Sequence, residues 1–144
     1  MKQAKNQTNP RIGEVYAVQF SGIEHEQQGL RPALVIQNNL GNIHSPNVIV
    51  IPFTSQIKKK SQPTHVFLPK EQTGLACDSL ALCENPASIS KSRLGAYLTT
   101  LPDSCMEQVA EASILASSVI AYLDPKRLEA TWERAGRLNR ICQC

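Results

Sequence analysis

Between residues 14 and 101 short apolar runs alternate with clusters of Gly, Pro, Asn and charged residues, a pattern of strands joined by turns. Glu14 to Phe20 is the first predicted strand. Pro32 can open the next, because its missing N–H is harmless at a first strand position. Ala33 to Gln37 then runs apolar, as a buried central strand does. Val48 to Phe53 is the most apolar run and predicts a core strand, with Pro52 marking an edge or bulge near its end. His65 to Leu68, Ser79 to Cys83 and Tyr97 to Leu101 bring the strand count to six, and strands this short and closely spaced favour a small barrel or sandwich. Gly22 to Gly29 has no apolar period and predicts an exposed loop, while Asn38 to Pro46 reads as a connection.

After Pro102 the apolar period lengthens. Ser104 and Glu107 have the spacing of a capping box, and Met106, Val109, Ala110, Ile114 and Val119 follow helical spacing, which predicts a helix packed on the barrel. Asp124 and Pro125 form a second start signal, a capping residue followed by proline at the first helical position. Leu128, Trp132, Ala135 and Leu138 recur at helical spacing beyond it, predicting a second helix packed through Trp132. The fold class is therefore mainly β with C-terminal helices. We divide the chain into a polar segment 1–10, a principal domain 11–123 and a helical extension 124–144.

Composition narrows the setting. Apolar residues at 42% and charged residues at 19% exclude a disordered or fibrous chain. The net charge of +3 favours a polyanionic partner without requiring one. No apolar stretch reaches the ~20 residues of a membrane span, and Met1 to Asn9 lacks the apolar core of an export signal, so a soluble cytoplasmic protein is expected. Five cysteines, an odd number, fit a reducing compartment. Cys77 and Cys83 lie too far apart for a common zinc pairing and Cys142 and Cys144 close the chain, so no metal site and no cofactor is expected.

Several blocks occur in a telling order. They are Arg11-Ile12-Gly13-Glu14-Val15-Tyr16, Gln28-Gly29-Leu30-Arg31-Pro32-Ala33-Leu34-Val35-Ile36-Gln37-Asn38 and Val48-Ile49-Val50-Ile51-Pro52-Phe53-Thr54-Ser55, then Pro63-Thr64-His65-Val66, Gly74-Leu75, Asp78-Ser79 and Ser92-Arg93-Leu94. Over about residues 11 to 122 the chain thereby resembles the MazF/PemK family of bacterial toxins. That resemblance implies an SH3-like barrel, a homodimer, sequence-specific cleavage of single-stranded RNA, and neutralisation by an antitoxin protein. It also implies Arg31 and Thr54 as the catalytic pair, with attack by the ribose 2′-OH leaving a 2′,3′-cyclic phosphate and a 5′-OH.

The residue types suit that chemistry. The transition state gathers charge on the non-bridging phosphate oxygens and needs donors aimed at them. An arginine fork binds two such oxygens and threonine adds a hydroxyl donor, so no metal is required. A guanidinium is a poor general base, which leaves the proton acceptor open among Glu24, His25, Glu26 and His65. Taken apart from the resemblance, Arg31 reads as a surface ion pair, Thr54 as a turn-capping hydroxyl and His65 as a structural histidine.

The resemblance implies base contacts at Asp78, Ser79, Glu84 and Asn85, and RNA contacts are also expected from Glu26, Gln27, Gln28, Asn38 and Ser55. Lys58, Lys59 and Lys60 read equally as cations for the RNA backbone or as a solvated hairpin tip. The run Glu84-Asn85-Pro86-Ala87-Ser88-Ile89 departs from the family's usual Glu-Gln-Ile-Arg-Thr-Ile, with Ala87 in place of an arginine. Two other readings stand beside the nuclease. One is a toxin of the same fold that poisons gyrase by binding, and the other an RNA-binding homologue without catalysis.

Overall fold

The computed structural model describes residues 9–22, 28–57 and 62–140, with only the backbone of Gln28. The expectations for Glu24, His25, Glu26, Gln27, Lys58, Lys59, Lys60, Cys142 and Cys144, and for the Gln28 side chain, fall outside these residues. The elements run β1 (Glu14–Ser21), β2 (Gln28–Val35), α1 (Asn39–His44), β3 (Asn47–Thr54), β4 (His65–Leu68), α2 (Lys70–Thr73), β5 (Ser79–Leu82), β6 (Ala87–Ser90) and β7 (Leu94–Thr100). The helices α3 (Asp103–Ala116) and α4 (Pro125–Arg140) follow.

All strand pairs are antiparallel, and β3 belongs to two groups, β6-β3-β2-β1-β7 and β3-β5-β4. β6 and β7 occupy opposite margins of the five-strand group, yet only the short 3-10 turn Lys91–Arg93 joins them. Four residue steps reach at most roughly 14 Å, whereas the margins of a flat five-strand sheet lie about 19 Å apart. The sheet must therefore curl, and the result is the expected small, SH3-like barrel, left unpaired between β6 and β7.

Alternation along the strands feeds two cores. Val15, Leu34, Ile51 and Phe53 turn towards α3, where Val66, Leu68, Ala81, Cys105, Val109 and Ala112 meet them. Their neighbours Tyr16, Val18, Ala33, Val35, Val48 and Val50 turn into the curl, with Phe20 and Ile89. Full burial of each large side chain contributes about 1.5–3 kcal/mol. Both prolines sit at gaps in the pairing. Gly13 N–H donates to the Val35 carbonyl at 2.9 Å and Ile36 N–H to the Ile49 carbonyl at 3.0 Å. Even-numbered residues of β2 thus face β3, and Pro32 falls just beyond the last pair of that ladder, Ala33 with Pro52. Pro52 in turn faces the break where β3 changes partner from β6 to β5.

Several expectations are corrected. β2 begins at Gln28, so Pro32 lies inside the strand and does not open it. β6 is a seventh strand among the described residues, and the Asn38 to Pro46 connection contains α1. α3 begins at Asp103 with Pro102 as its cap, because the Pro102 carbonyl already accepts from the N–H groups of Cys105 and Met106. Ser104 is then inside the first turn and forms no capping box. The helix ends at Ala116, which leaves Val119 in a separate 3-10 turn. Asp124 does cap α4, its Oδ1 accepting from Arg127 N–H at 2.8 Å. Trp132, however, is 72% exposed, and α4 touches the body through its last turns. There Asn39 N–H donates to Asn139 Oδ1 at 3.1 Å and Asn39 Nδ2 to the Asn139 carbonyl at 3.2 Å. Ala135 and Leu138 line a cleft of about 370 Å³ beside them with Ile12, Ile36 and Ile49. No helix of the described residues is long and apolar enough to cross a membrane.

Candidate active site

The site begins in the β2–β3 ladder. Its last pair is Ala33 with Pro52, and two residues further along each strand stand Arg31 and Thr54. Residues two apart share a face, so both side chains emerge on the face whose inner portion is packed by Ala33, Val35, Val48 and Val50. Core and site are one continuous surface, buried at one end and half-buried at the other. Here Arg31 Nη1 donates to Thr54 Oγ1 at 3.3 Å.

Thr54 Oγ1 also accepts from Gln56 N–H at 3.1 Å, a turn that fixes the hydroxyl where β3 ends. A hydroxyl has two acceptor sites and one proton. With two donors already directed at the oxygen, its proton is oriented to donate outwards. The pair thus offers a fixed cation and a hydroxyl donor side by side, which suits an anionic oxygen passing through a more highly charged state.

A cleft of about 460 Å³ opens on the same face, lined by Phe20, Pro52, Glu84, Asn85, Ala87 and Arg93 among others. Pro52 connects it to the pair, being two residues from Thr54 on β3. Glu84 is held by two donors, Thr64 Oγ1 at 3.1 Å to Oε1 and His65 Nε2 at 2.8 Å from Oε2. Nδ1 of His65 is buried with no partner among the described residues. A carboxylate oxygen only accepts, so Nε2 is the donor of this contact. His65 thereby ties β4 to a residue of the cleft.

The structure gathers some expected residues and separates others. Arg31 and Thr54 meet, Ser55 follows them as an exposed residue, and Glu84 and Asn85 share the cleft. Asn38 lies beyond the opposite end of β2, where its Oδ1 caps α1 by accepting from Gly41 N–H at 2.8 Å. Asp78 Oδ1 accepts from Lys70 N–H at 2.9 Å, and Ser79 is buried at the start of β5 with its hydroxyl on the Cys77 carbonyl. Arg93 received no site role from the sequence, yet it lines the cleft with its guanidinium fastened to the Gln19 carbonyl. Its block with Ser92 and Leu94 was the available signal. No group of three or more His, Cys, Asp or Glu among the described residues is placed to hold a metal.

Comparison with known proteins adds an independent line. The family described as "PemK-like, MazF-like toxin of type II toxin-antitoxin system" matches residues 11–116. A Bacillus subtilis (strain 168) protein, endoribonuclease EndoA, is 40% identical over 111 residues, covering 76% of this chain and 96% of the relative. MazF from Deinococcus radiodurans superimposes with a TM-score of 0.64 at 26% identity, over 75% of this chain and 96% of that one. An endoribonuclease in complex with its cognate antitoxin, from a mycobacterial species, shares the fold with a TM-score of 0.62 at 23% identity, over 76% and 96% of the two chains.

Proposed function

This chain belongs to the PemK-like, MazF-like toxins of type II toxin–antitoxin systems, and from that membership we propose that it is a cytoplasmic endoribonuclease, independent of metal, that cuts single-stranded RNA at a short sequence as a homodimer. A cognate antitoxin restrains it. The observation that carries the reading is the Arg31–Thr54 pair, each two residues beyond the last β2–β3 register pair and joined by a hydrogen bond.

In the reaction the ribose 2′-oxygen forms a bond to the adjacent phosphorus while the bond to the 5′-oxygen breaks. The 2′-OH loses its proton and the departing 5′-oxygen gains one, leaving a 2′,3′-cyclic phosphate and a 5′-OH. Arg31 and Thr54 donate to the non-bridging oxygens as charge accumulates on them. Glu84 and Asn85 in the adjoining cleft present polar groups to base edges, so they govern sequence choice.

Cleavage of a defined single-stranded RNA in EDTA tests the assignment. Wild-type protein cuts it, and Arg31→Ala lowers the rate by roughly 10²–10³-fold, the usual cost of losing one preorganised donor. RNA left intact by wild-type protein, or an undiminished rate in the variant, overturns the proposal.

A further inference from the structure

We propose that the ring of Phe67 is a stacking platform for a nucleobase of the RNA held at Arg31 and Thr54, a subsite that rests on the nuclease reading above. Sheet register carries the argument. Thr54 pairs with Leu80 on β5, and Leu80 pairs with Phe67 on β4. Arg31, two residues beyond the last β2–β3 pair and hydrogen-bonded to Thr54, continues this row on a fourth strand, so the four side chains share a face. The next row, Phe53 with Ala81 and Val66, turns into the core beneath α3, which fixes the direction of Phe67 as that of the catalytic pair.

Two strand spacings separate Thr54 from Phe67, roughly 10 Å, a distance that the sugar and base of a nucleotide bridge when its phosphate sits at Thr54. Leu80 lies between them, only 7% exposed, as an apolar floor, while Phe67 is 49% exposed. Two residues back along β4, on the same face, His65 holds Glu84, so a base laid on the ring has a carboxylate acceptor beside it. Leu30, the exposed apolar neighbour of Arg31, has the opposite strand parity and faces away. A protein partner needs a contiguous apolar patch. A single half-covered ring in line with phosphate-binding groups suits a base, since every base has a π-face to stack.

The test uses 2′-O-methyl RNA oligonucleotides carrying 2-aminopurine at successive positions, which lack the attacking 2′-OH, bound to the full chain so that binding is read without cutting. Fluorescence is expected to be quenched at one position and recovered when Phe67→Ala is added. In the otherwise wild-type enzyme, Phe67→Ala should raise KM about tenfold, in line with the loss of one stacked base. Its kcat should stay nearly unchanged, and Phe67→Trp should restore KM. An unaltered KM with unaltered quenching, in a protein whose wild type cuts RNA, overturns the proposal. So does a Phe67→Ala protein that binds RNA normally and loses only dimer mass or antitoxin affinity. Wild-type protein that cuts no RNA sinks the nuclease reading, while the quench assay, which needs binding alone, still decides the stacking.

Discussion

In β1, β2 and β3 successive apolar residues enter one or other of two cores, whereas none of the sixteen residues of α4 is buried. Both regions are amphipathic in sequence. β1, β2 and β3 cover most of their large apolar positions because these strands meet partners distant along the chain, and a residue turned from one core enters the other, with Leu30 and Ile49 as exceptions. Among the described residues α4 meets the body through its last turns, near Asn139, and Leu128 and Trp132 are exposed. Periodicity thus states which face of an element is apolar, while long-range pairing decides whether anything lies against it.

Substitutions can sharpen that contrast. Phe53→Ala, at a fully buried side chain between β3 and α3, should lower the unfolding free energy by about 3–5 kcal/mol in urea titration. Equal stability would mean that this core does not hold the barrel. Asn39→Ala removes the acceptor of Ile12 N–H at 2.8 Å along with a bond to Asn139. It should cost about 1–3 kcal/mol and raise amide exchange in α4 more than in β1; the reverse order of exchange would show that α4 is anchored elsewhere.

A pH-dependent effect arises at buried groups of the barrel and of α3. The Tyr16 hydroxyl donates to Glu14 Oε1 at 2.7 Å, and burial, followed by that bond and the nearby charge, pushes its pKa above the ordinary 10.0. The folded value exceeds the unfolded one, so the associated stability is whole below pH 10.0 and drains away as pH rises past it. Burial raises Cys83 and Cys105 from 9.0, and they begin the same loss from pH 9.0. Tyr16→Phe should flatten the steeper fall and leave the thiol portion, as read from denaturation midpoints against pH. The smallest effect is expected at Trp132→Ala, within about 0.5 kcal/mol of wild type for an exposed side chain. A larger loss would reveal something covering α4 in solution.

Strands with strong alternation were legible, β4 to the residue and β1 within one. β6 was not, because Ile89 is its only buried residue and the run reads as a turn between Pro86 and Lys91. Pro32 misled because a proline's tolerance depends on which side of the strand is paired, a tertiary fact. Asn38 was placed at the site on the strength of its block, yet its cap on α1 sets it at the far end of β2. Arg31 and Thr54 were reached through resemblance. Residue by residue they are unremarkable, and only the β2–β3 register makes them neighbours. Phe67 stayed hidden for the same reason, since a four-residue strand does not announce which of its faces is shared with a site two strands away.

The position of the pair as the next step of the Ala33–Pro52 ladder has a consequence for divergence. Slipping that ladder by one residue would invert every side chain on it, and folding would fail before turnover could change. Descendants of this chain therefore inherit the Arg31–Thr54 geometry with the packing, whereas the cleft rim from Glu84 to Ser88 and the ring at 67 are free to drift.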